Sequence, residues 1–118
     1  MDNTDSFALY HLEVSVVGDL ETFVCSHTPG HAFDVIGENL VFDDNKQFSL
    51  YALAALLPLL PAKQRETQAN DWMTSDELIA CPDPHCGARF KIQRTQKTTF
   101  SHAATTRVPI KQNNKETP

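Results

Sequence analysis

From Tyr10 to Val16 apolar and polar positions alternate: Tyr10, Leu12, Val14 and Val16 fall on one side, His11, Glu13 and Ser15 on the other. A period of two is the signature of a strand with one buried face. Gly18-Asp19 marks a turn, and Phe23-Val24-Cys25 resumes an extended apolar segment. The stretch Ser26-His27-Thr28-Pro29-Gly30-His31 predicts a tight loop. Beyond it Phe33 and Val35 oppose Asp34 and Ile36, and Gly37-Glu38-Asn39 turns the chain into Leu40-Val41-Phe42. Residues 32–42 therefore predict a β-hairpin. The cleanest alternation comes late, with Ala88, Phe90 and Ile92 inward and Arg89, Lys91 and Gln93 outward.

The run from Phe48 to Leu60 breaks that period, being apolar at nearly every position. Such a run predicts a helix buried on most sides, with Ser49 as its N-cap, Pro58 in its last turn and Pro61 as its stop. Lys63 to Asn70 is polar and predicts a surface loop, and Thr74 or Ser75 is placed to begin a short helical turn. The expected fold is α+β: about five short, mainly antiparallel strands on one buried apolar helix, with closure into a partial barrel as an alternative. Residues 1–100 form the expected domain, and residues 101–118 a polar, flexible C-terminal tail.

A length of 118 residues suits one domain, and 41% hydrophobic with 21% charged residues is the balance of a globular chain. The formal charge of −5, with its ten Lys and Arg scattered, argues against nucleic acid as a partner. No basic amphipathic stretch points to a membrane surface, and the acidic Met1–Asp5 start is unlike a signal peptide. The expected location is the cytoplasm. Three cysteines cannot all pair within the chain, so in a reducing compartment they read first as thiols or metal ligands.

Those cysteines carry the candidate chemistry. Cys25-x-His27, with His31 four residues on, lies on the proline-pinned loop; Cys81-x4-Cys86 brackets Asp83 and His85 between Pro82 and Gly87. Ligands a few residues apart let one turn aim two donors at one ion. Cys25, His27, Cys81 and Cys86 would complete a tetrahedral Cys3His shell, with His31 able to replace His27 and zinc the expected metal, iron the alternative. Convergence of Cys25 on Cys81 is required by that reading. A nucleophilic Cys25 with His27 or His31 as its base is the enzymatic variant. The bland reading leaves Cys25 as a small buried hydrophobe and His11, His85 and His102 as surface histidines. A non-catalytic binding module, homo-oligomer or small subunit of a larger metabolic enzyme is the competing function class, since a small sheet need not cover the helix completely.

The pattern Cys25-x-His27-x-x-Gly30-x-x-Phe33-x-Val35-x-Gly37, with Leu56-Leu57-Pro58, Ala80-Cys81-Pro82-Asp83-Pro84 and Phe90-Lys91-Ile92, resembles a family of short, uncharacterised prokaryotic proteins. The likeness covers most of residues 9–94. It implies the architecture above and weight on Cys25, His27 and Cys81, and it brings no activity with it. Members also carry a cysteine near the start of the apolar helix. This chain has Phe48 and Ser49 there, and Cys86 elsewhere.

Overall fold

A computed structural model describes residues 5–44 and 46–111. The predicted first strand runs further than its alternation, as β1 (Ser6–Val17). The hairpin forms β2 (Gly30–Ile36) and β3 (Asn39–Val41), with Gly37 at φ +61° in its turn. Late in the chain β4 (Leu78–Ala80) pairs with β5 (Arg89–Ser101). The five strands form one antiparallel sheet in the order β3-β2-β1-β5-β4. Both edges stay open, so the sheet does not close into a barrel. Phe23–Cys25, expected to be extended, belongs to no strand; a 3-10 turn at Leu20–Thr22 precedes it.

The alternation seen in the sequence sets the core. Leu12, Val14 and Val16 of β1, Phe33 and Val35 of β2 and Phe90 and Ile92 of β5 are buried on one face. On β2 the register slips, because Val14 pairs with Phe33 while Ser15 pairs with His31. Ala32 is the extra residue of this bulge. It turns inward beside Phe33 and leaves His31 near Asp34, with His31 Nε2 3.0 Å from Asp34 Oδ1.

The apolar run is where the fold departs from expectation. It forms two short helices, α1 (Leu50–Leu56) and α2 (Leu60–Gln64), separated around Pro58. Ser49 caps α1 as predicted, its hydroxyl accepting from Ala52 N at 3.2 Å. Burial is one-sided: Ala52, Leu56 and Leu60 face the core, while Leu50 and Tyr51 are 74% and 78% exposed. A single sheet offers one apolar surface, so a run apolar all round can bury only the stripe that meets it. The short helix α3 (Trp72–Ser75) is capped by Asp71, one position before its first residue. The chain continues past β5 into α4 (His102–Thr105); residues 112–118 of the expected tail, like residues 1–4 of the acidic start, lie outside the described residues.

Lys63 lies 2% exposed in α2, its ammonium donating to Met73 O at 2.9 Å and to Asp76 O. Burial lowers its pKa, while Asp76, Glu77 and Asp71 resist that shift. Two carbonyls lose their donor in Lys63→Met, for an expected loss of about 2 kcal/mol in denaturant unfolding. Below its unfolded pKa the unfolded chain binds this proton more readily than the folded one. Wild-type stability should therefore gain on that of Lys63→Met as pH rises towards the ordinary lysine range.

Candidate metal centre

The three cysteines enter from three separate places. Cys25 follows the 3-10 turn, Cys81 follows β4, and Cys86 closes the turn leading to β5. One backbone bond ties the last of these segments to the 3-10 turn, and another closes the last segment on itself. Gly87 N donates to Thr22 O at 2.9 Å, and Cys86 N donates to Asp83 O at 3.0 Å within the turn. Asp83 also accepts from His85 N at 2.9 Å, which tightens the turn into a knuckle. The three sulfur atoms lie within 4.8 Å of one another, so Cys25 and Cys81 do converge. Pro82 and Pro84 restrict the loop beforehand and lower the entropy cost of that arrangement.

Cys86 is 2% exposed and its sulfur lies 2.9 Å from that of Cys25, too far for a disulfide bond. The two thiols are driven apart in acidity. Burial pushes Cys25 up to about 11, helped by the hydrogen bond to Cys86 and opposed by the His27 amide. Burial also disfavours the Cys86 thiolate. The Cys25 thiol and the amides of Ala88, Cys25 and Val24 outweigh it and bring Cys86 to about 6. Val24 N approaches the Cys86 sulfur at 3.3 Å. These opposed shifts favour the thiolate at Cys86 and the thiol at Cys25. A soft anion ringed by N–H donors and two further thiols is the donor set of a thiophilic metal such as zinc. Tetrahedral zinc with bonds of about 2.3 Å would space its sulfurs roughly 3.8 Å apart, so seating an ion asks Cys25 and Cys86 to separate slightly.

The histidines lie elsewhere. His27 is 8% exposed and sits between aromatic rings, 4.9 Å from Phe90 and 5.3 Å from Phe48 by centroid, outside the sulfur cluster. His31 joins Asp34 and Glu13 instead, a second grouping of donor atoms within 4.8 Å, with His11 Nε2 3.7 Å from Asp34. Lys46 donates to His31 O at 2.5 Å and supplies the local countercharge. His85 is exposed, and the His102 ring lies 2.6 Å from Val108 O. The structure thus brings together the three candidate cysteines and neither loop histidine. The sequence reading missed Lys46 and the amide cradle around Cys86; backbone donors leave no mark in a side-chain motif.

Gly87 is the residue the assembly cannot enlarge. A Cβ there would overlap the Thr22 hydroxyl and stand 3.2 Å from Thr22 O. In Gly87→Ala the knuckle must lift from the 3-10 turn, drawing Cys86 away from Cys25. The expected result is a stability loss of about 1–3 kcal/mol and weaker metal retention in competition with a chelator.

Among the described residues no helix is long and apolar enough to cross a membrane. No protein-family model, curated protein or solved structure matches this chain.

Proposed function

We propose that this chain is a metal-binding protein that holds zinc through Cys25, Cys81 and Cys86. The observation that carries the reading is the gathering of three sulfurs within 4.8 Å from three separate segments. Three protein ligands leave a fourth tetrahedral position to an external donor, the arrangement that distinguishes reactive from purely structural zinc. The likeness to the uncharacterised prokaryotic family, through Cys25 and Cys81, is consistent with it. So is a reducing, cytoplasmic setting, in which the thiols stay available.

Elemental analysis of protein purified without a histidine tag tests this directly. One equivalent of zinc per chain, lost in Cys81→Ser, is the expected result; iron in its place would replace the metal and keep the site. No metal after growth in zinc and iron, with no thiolate-to-cobalt absorbance on adding Co²⁺, would sink the proposal.

A second reading has its own observation, the 2.9 Å approach of Cys25 to Cys86. As a dithiol the pair would act without metal. Treatment of metal-free protein with the thiol oxidant diamide is expected to join Cys25 to Cys86, as read by peptide mass spectrometry, leaving Cys81 free. In the zinc-loaded protein the same oxidation should be slowed, because the metal occupies the attacking sulfur. An assembly role rests on the exposed Leu50, Tyr51 and Trp72, and light scattering reads it.

A further inference from the structure

A cavity of about 370 Å³ opens between the loop bearing His27 and the segment that leads into α1. His27, His31, Lys46, Ser26, Thr28 and Phe48 are among the residues that line it. Its volume falls within the range of small-molecule sites. Nothing in the cysteine cluster lines it, so it is separate from the proposed metal centre.

The observation that singles it out is His27. This ring is more than nine-tenths buried, and among the described residues its nitrogens make no hydrogen bond. Aromatic contacts with Phe48 and Phe90 fix its plane but satisfy neither nitrogen. A buried imidazole carries one donor and one acceptor, and leaving both unpaired is costly enough that few native groups do so. Ser26, Thr28 and Gln47 add side chains that likewise make no hydrogen bond among the described residues. Lys46 is the one lysine, arginine or carboxylate among the described lining residues, and Asp43, 3.9 Å from its ammonium, stands outside the lining.

We propose that this cavity binds a small organic anion, a carboxylate or a phosphate ester, with Lys46 holding the oxyanion and His27 pairing with a polar group of the ligand at the floor. A neutral imidazole can both give and take a hydrogen bond, so it suits a hydroxyl, carbonyl or amide next to the anionic group. The hydroxyls of Ser26 and Thr28 extend the same polar wall. Phe48, its ring 5.3 Å from that of His27 by centroid, adds an aromatic residue to the lining. Lys46 is already drawn to His31 O and lies 3.9 Å from Asp43, so it is positioned before any ligand arrives.

Histidine ring nitrogens read by long-range ¹H–¹⁵N correlation give the test. Metal-free and zinc-loaded full-length protein are titrated with inorganic phosphate or with succinate, ionic strength being held constant with sodium chloride. Saturable shifts at the His27 nitrogens and at the amides flanking Ser26 and Gln47, weakened about tenfold in Lys46→Met, are expected. The arm that saturates at lower concentration assigns phosphate or carboxylate. His27→Phe keeps the aromatic packing and removes the unpaired polar atoms; it should raise the Tm while abolishing the shifts. Linear, unsaturated shifts with both probes would overturn the proposal, as would shifts unchanged in Lys46→Met. A lowered Tm in His27→Phe would make the residue structural and also overturn it. So would a His27 nitrogen that moves on zinc loading alone to the position of a metal ligand. Loss of the metal reading by itself leaves these anion titrations on metal-free protein intact.

Discussion

Cys81→Ser should release the metal and abolish the stability gap between zinc-loaded and chelator-treated protein. The reason is linkage: donor atoms from three segments meet only in the folded chain, so the free energy of binding appears as free energy of folding. Complete structural zinc sites contribute on the order of 10 kcal/mol at neutral pH. A three-thiolate site completed by an external donor should contribute several of these. Serine is close to cysteine in size, but its hydroxyl is a far poorer zinc ligand than a thiolate. In the metal-free state the substitution should cost no more than about 1–3 kcal/mol, the range for one buried hydroxyl lacking a partner. Chemical denaturation of both proteins, with and without a chelator, separates the two contributions. Equal losses under both conditions would make Cys81 a packing residue and remove it from the ligand set.

The strands were legible because a one-sided sheet writes period two directly into the sequence. Leu12, Val14 and Val16, and later Ala88, Phe90 and Ile92, are all buried as their alternation requires. The apolar run failed for a related reason. Hydropathy counts what a segment could bury, whereas burial depends on what stands opposite, and among the described residues Leu50 and Tyr51 are left largely uncovered. The cysteine gathering was legible through spacing and prolines: Pro29 follows Cys25 in its loop, and Pro82 and Pro84 fall inside the Cys81–Cys86 turn that joins β4 to β5. The place of the histidines was not. His31 is turned towards Asp34 by a bulge at Ala32, and His27 is drawn among Phe48 and Phe90, which are distant in sequence. A Cys-x-His spacing states that two donors are near each other along the chain; it does not state which side of the loop each one takes.

Phe90→Ala should be among the most damaging core substitutions, and it joins the fold to the site. Phe90 is fully buried, its ring 4.9 Å from His27 and 5.5 Å from Phe48 by centroid, and its backbone lies between Val16 of β1 and Ile79 of β4. Truncation removes most of a ring that its neighbours cannot replace, for an expected loss of about 3–5 kcal/mol. That is a large share of the roughly 5–15 kcal/mol typical of a folded domain. The consequence for the metal centre comes from register. Ala80 pairs with Arg89 one step from the Ile79–Phe90 pair, and Cys81 comes directly after Ala80. Loosening that end of the sheet spreads the positions open to the Cys81 sulfur, so zinc must order the site as well as bind it. Denaturant unfolding with and without zinc should therefore show a smaller zinc-dependent gain in Phe90→Ala than in wild type. Phe90→Leu, which keeps much of the volume, should recover most of that gain. An undiminished gain in Phe90→Ala would mean that the cysteine knuckle holds its geometry through Thr22 and Gly87 alone, independent of the strand pair beneath it.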